Sequence, residues 1–130
     1  MRNEVIQHLQ GEALGTYTVS NELPWTENGT PLYSINPKVI YFDKDQTVQE
    51  SVLQVLNGSD VVKTTITVTA FVINDAKTLP IDYESITQSI IDAKNTTLIT
   101  ETYNRECDIT TSYLDDMLLT SATYRFTTII

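Results

Sequence analysis

The chain holds one histidine, His8, and one cysteine, Cys107, so nucleophilic or metal chemistry has to be built around them. A Cys107–His8 dyad would supply a thiolate and a base, but it needs the first predicted helix to meet the closing hairpin in a cleft. Cys107 is already accounted for as a small core residue opposite Tyr124. His8 lies near the polar edge of its helix and reads as a surface residue, which also removes any Ser/His/Asp set. One His, one Cys and no acidic cluster at ligand spacing fall short of a zinc site. Asp43-Lys44-Asp45 and Asp115-Asp116 lack the spaced oxygens and the glycine of a calcium loop, and they read as turn residues. Glu106 and Asp108 share a strand face at i, i+2 as an acid/base pair would, but Arg125 opposite Glu106 makes a salt bridge the stronger reading. Four glycines leave no phosphate-cradling loop. The expectation is a protein that is not an enzyme, with no cofactor and no metal.

One constellation remains, and it is aromatic: Trp25, Tyr33, Tyr41 and Phe42. The first two stand in an aperiodic stretch, residues 20–37, broken by Pro24, Asn28-Gly29, Pro31 and Pro37. A loop of this length is commonly functional or disordered, and its Leu23, Trp25, Leu32, Tyr33 and Ile35 argue for order. It is read as an arm packing on its own domain or on a neighbouring subunit.

The remaining elements must position that arm. Residues 2–14 are predicted as a short amphipathic helix, with Val5, Ile6, Leu9 and Ala13 on one side. Gly11 weakens its end and Gly15 stops it. Thr16–Val19 and Lys38–Asp43 read as strands. A long hairpin follows over Thr47–Ile73, with Gly58-Ser59 as its turn, pairing Leu56 with Val61, Val55 with Val62 and Gln54 with Lys63; an Asn57-Gly58 turn is the competing register, less favoured because it sets Val55 opposite Asp60. In its return strand Val62, Ile66, Val68, Ala70 and Val72 share one face, and Thr65, Thr67 and Thr69 line the other. A second helix is expected at about 82–94 with Asp82 as N-cap and a stripe of Tyr83, Ile86, Ile90 and Ala93. Leu98-Ile99-Thr100 reads as a strand start or a linker.

The closing stretch, Arg105–Ile130, pairs with itself most clearly. With Asp115-Asp116 as a two-residue turn, Tyr113 faces Leu118, Ile109 faces Ala122 and Cys107 faces Tyr124. Glu106 then faces Arg125, and Asp108 faces Thr123. The fold class is α+β: a single domain over 1–130, mostly antiparallel or mixed sheet with two helices and a long irregular arm. Two helices cannot cover both faces of four or five strands, so one face is solvated or covered by another chain. Twenty-one threonines, many at alternating strand positions, suit a surface half wet and half packed.

A net charge of −9 from 17 acidic and 8 basic residues argues against a grip on nucleic acid, because phosphate binding needs clustered Lys/Arg. The lone cysteine rules out an internal disulfide and fits synthesis in a reducing cytoplasm. No signal peptide or membrane span is read from the sequence, so the three Asn-X-Ser/Thr triplets at Asn28, Asn57 and Asn95 are attributed to chance.

Asn21-Glu22-Leu23-Pro24-Trp25, Pro31-Leu32-Tyr33, Asp75–Pro80, Arg105–Asp108 and Tyr124–Thr127 together resemble small virion proteins of tailed bacteriophages, and among them the tail terminator or tail-completion proteins of the head–tail junction. The resemblance covers most of the chain and rests on layout and short runs. It implies a structural subunit of a homo-oligomeric ring, commonly a hexamer, that caps the tail tube and joins it to the head or neck. The implied partners are the subunit itself, the tail tube protein and neck or connector proteins. DNA passes without specific binding, no membrane is involved, and the location is the virion after synthesis in the host cytoplasm. Other head–tail connector, tail tube or baseplate subunits share this construction, and a monomeric peptide- or small-ligand-binding module is the rival from another class. The residues expected at the interface are Trp25 and Tyr33 in the arm and Thr65, Thr67 and Thr69 on the strand face turned from the core.

Overall fold

A computed structural model describes residues 1–54 and 60–129, with side chains outside 52–61. The elements are α1 (Arg2–Gln10), β1 (Thr18–Val19), β2 (Val39–Phe42), β3 (Gln46–Gln54), β4 (Asp60–Asp75), α2 (Tyr83–Asp92), β5 (Asn104–Leu114) and β6 (Met117–Ile129). They form one α+β domain around a six-stranded mixed sheet. The spatial order is β1-β2-β4-β6-β5, and β3 joins the same edge of β4 as β2. Only β1 and β2 run parallel.

Both helices lie on one face. Val5, Ile6 and Leu9 from α1 and Ile86 and Ile90 from α2 pack with Ile40, Phe42, Val68, Val72, Tyr124 and Phe126 of the sheet. Ala70 pairs with Ala122 at the centre, and two small residues side by side let the helices approach closely. Tyr124 is fully buried and its hydroxyl donates to the Ile90 carbonyl, so its one polar atom does not oppose burial. Removal from water holds that phenol well above its ordinary pKa.

Two arginines tie the layers together through backbone carbonyls. Arg105 reaches beneath β5 to the oxygens of Thr96 at 2.7 Å, Lys94 at 3.2 Å and Ile99, and to Thr102 Oγ1 at 2.7 Å. Arg2 donates to the carbonyls of Phe42, Asn21 and Glu22. Asp45, in the link between β2 and β3, accepts from the Arg2 amide at 3.0 Å and the Met1 ammonium at 2.9 Å. Burial opposes that ammonium's charge, but Asp45 and Glu4 outweigh it and raise its pKa.

The closing hairpin pairs in the expected register throughout, from Asn104↔Thr127 to Leu114↔Met117. The long hairpin differs. Lys63 pairs with Glu50 rather than Gln54, Val62 with Ser51 and Val61 with Leu53; Gln54 meets Asp60, after a register shift between Ser51 and Leu53. The cause lies upstream of the turn. β2 already occupies the β4 edge, with Tyr41 opposite Phe71 and the Asp43 amide bonded to the Thr69 carbonyl, so the chain arrives at Gln46 opposite Thr67. The expected Gly58-Ser59 turn, with Val55 and Leu56, falls outside the described residues.

Helix α1 is shorter than expected. Gly11 ends it, its amide donating to Gln7 and His8 carbonyls, and Ala13 is exposed. Leu14 is buried separately, and Gly15 turns with φ of 61° against the Asp82 carboxylate, where a Cβ would sit 2.1 Å from an oxygen. Asp82 begins α2 without a side-chain cap bond; its carboxylate instead faces the Thr16 amide at 3.4 Å. Leu98-Ile99-Thr100 is linker, with Ile99 buried.

Candidate interaction surface

The face of the sheet opposite the helices has two halves. Over the first lies the arm. Trp25 bridges to Pro31, the Leu32 amide donates to the Pro24 carbonyl at 2.7 Å, and Thr26–Thr30 closes a tight turn in which Gly29 takes φ of 80°. This geometry lays the arm's aromatics on the sheet. Tyr33 stacks on Phe71 with centroids 5.2 Å apart, and Trp25 meets both edge-on at 5.6 and 6.2 Å. Asn36 donates to the Tyr41 hydroxyl at 2.8 Å.

The arm therefore packs on its own domain. Tyr33 is only 7% exposed, and burial raises the pKa of its phenol; its ring is occupied within the chain. Trp25 keeps 41% of its surface, enough to meet a second molecule. Tyr41 lies under the arm and Phe42 in the helix-side core, both buried. Proline and asparagine breaks marked the arm as irregular; Phe71, the ring it closes over, had no signal beyond its place on the open face of β4.

The second half has no such cover among the described residues. Registers set its rows: Thr69–Thr123–Asp108, then Gln46–Thr67–Arg125–Glu106, then Val48–Thr65–Thr127–Asn104. Thr65, Thr67 and Thr69 thus stand in one column on the face turned from the core, each half-buried. Among the described residues, Val48 at 64% and Ile129 at 51% are exposed apolar groups beside them.

Charge on this face is locally matched. Arg125 is bonded to Asp108 and lies 3.6 Å from Glu106, and the bond to Asp108 raises the guanidinium's pKa above its ordinary value. The expected Glu106–Arg125 pair is present, with Asp108 as the closer partner. All three arginines are thereby engaged internally. Lys63 sits 3.6 Å from Glu50 and Lys77 lies 3.7 Å from Asp116, so no cationic stripe for phosphates is assembled from these residues.

Chemistry-bearing side chains are not brought together. His8 pairs with Glu12 at 3.3 Å. Cys107 lies on the helix side opposite Tyr124, where burial pushes its thiol up to about 11, the wrong direction for a nucleophile. Among the described residues there is no pocket and no cluster of three His, Cys, Asp or Glu side chains fit for a metal. No helix among them is long and apolar enough to cross a membrane. The anchoring role of Arg105 was not read from the sequence. A signal existed, since Arg105 alternates in phase with Cys107 and Ile109 and so faces inward, where a charge needs partners. The chain matches no protein-family model, and no curated protein is similar to it.

Proposed function

We propose that the protein is a structural ring subunit of a phage-type tail, a tail terminator that caps the tail tube and joins it to the head or neck. One observation carries the reading: helices cover one face of the sheet, while half of the other, with Val48, Thr65, Thr67 and Thr69, has no such cover among the described residues. Binding the last tube ring blocks further polymerisation, and a heterologous side-to-side contact closes the subunit's own ring. Tube protein and neck proteins are the partners. An acidic chain whose arginines are engaged internally suits a channel that DNA passes without sticking.

The test is native mass by light scattering across a concentration series, with tube length measured by electron microscopy when purified tail tube protein polymerises with and without the chain. A closed ring, hexameric as the resemblance implies, together with shorter tubes supports the reading. A monomer at every concentration that leaves tube length unchanged overturns it and favours a monomeric peptide- or small-ligand-binding module.

A further inference from the structure

We infer that β5 is a self-pairing edge: two copies of the chain join their β5 strands antiparallel about a two-fold axis at Ile109. The inference rests on the sheet's edges and goes beyond the capping reading. Of the free edges, β1 has two residues and β3 carries an irregularity at Ser51–Leu53, both devices that discourage pairing. β5 has eleven residues, no proline and an unbroken register.

The hydrogen-bond phase is fixed by the contacts around it. The Ala76 amide donates to the Asp116 carbonyl at 2.8 Å, extending the β4/β6 ladder, so even-numbered residues of β4 and β6 bond each other. Odd-numbered residues of β6 then bond even-numbered residues of β5, as the two-residue turn between Leu114 and Met117 also requires. Arg105, Cys107, Ile109, Thr111 and Tyr113 are left with N–H and C=O directed outward, with no partner among the described residues.

That set is symmetric about Ile109. Antiparallel pairing centred there matches Arg105 with Tyr113 of the second copy, Cys107 with Thr111, and Ile109 with itself, so every outward group finds a partner. On the open face the same register sets Glu106 opposite Ser112 and Asp108 opposite Thr110, and no like charges are directly opposed. Moving the axis to Asp108 would oppose that carboxylate to itself, and moving it to Cys107 would oppose Glu106 to Asp108. Moving it towards Leu114 leaves outward groups unpaired. Tyr113, 74% exposed in the single chain, gains a cross-strand neighbour. The contact is isologous, separate from the heterologous contact that closes a ring, and leaves the arm and β3 free for that one.

Sedimentation velocity of the full chain, its Thr110→Asp and its Thr110→Lys variants tests the register, since Thr110 is exposed and its replacement leaves the fold intact. Thr110→Asp opposes a carboxylate to Asp108 of the other copy twice per pair and is expected to weaken association about tenfold. Thr110→Lys is expected to strengthen it about as much, with the gain lost in high salt. Hydrogen exchange reads the same contact: the amides of the five outward residues gain protection as the protein is concentrated. A chain that stays monomeric, two variants that shift association in the same direction, or protection appearing on β3 instead would overturn the inference. A ring indifferent to both variants would remove this contact and leave the capping reading standing.

Discussion

On the helix-covered face of β4, Val68, Ala70 and Val72 are buried; on the opposite face of the same strand, Thr65, Thr67 and Thr69 remain half-covered. One strand thus meets two environments, and its residue types follow. Where the cover comes from the same chain, side chains are apolar and fitted in size. Where it does not, β-branched hydroxyls keep the strand conformation without exposing a wide apolar area. The arm is the intermediate case, a patch of open face that the chain covers for itself with Tyr33 on Phe71.

Substitutions should separate these environments by size of effect. Tyr124→Ala, on the closed face, should cost about 3–5 kcal/mol in urea unfolding by leaving a cavity; a loss no greater than that of an open-face threonine would erase the distinction. Arg105→Ala should cost about 2 kcal/mol, because carbonyls between Lys94 and Ile99 lose a charged donor, and Arg105→Lys should recover little of it. Trp25→Ala should lower stability by about 1 kcal/mol while circular dichroism stays unchanged and self-association weakens; outright unfolding would instead move the arm into the core. Exchanging Glu106 and Arg125 should leave stability within about 0.5 kcal/mol, whereas Glu106→Lys alone should cost more, and equal damage would contradict the register.

Burial on the helix-covered side also sets an alkaline response. Burial pushes Cys107 up to about 11 and Tyr17 up to about 12. Above the ordinary thiol value of 9.0 the unfolded chain ionises while the folded chain stays neutral, so stability is full below that pH and falls as pH rises through the folded values. Thermal melts from pH 8 upward should show this decline, and Cys107→Ala should flatten its first part.

The closing hairpin was legible because turn chemistry and alternation agree: Asp115-Asp116 and the apolar positions of both strands select the same register. In the long hairpin they conflict. Gly58-Ser59 was preferred as the turn over Asn57-Gly58 for the pairing it gave, yet the register is set by β2, which shares the β4 edge, and no local pattern announces that two strands lie end to end on one neighbour. Helix α1 was overextended because Ala13 continues the apolar period, while Gly15 must turn tightly against Asp82 from 67 residues further along the chain. The open face was legible as a deficit of helices. Which half the arm would cover was not, since that depends on Phe71 across the fold.

The anchors of α1 also bear on the order in which the molecule assembles. Nine residues are too few for a helix to persist alone in water, and the groups that hold this one, Asp45 and the Phe42 carbonyl, lie 43 and 40 residues away. They exist as a docking place only once β2 and β3 have settled along β4. Folding should therefore reach its transition state with α1 still loose: Leu9→Ala should speed unfolding markedly and leave the refolding limb of a chevron nearly unmoved. The first segment of the chain would then be among the last to find its place.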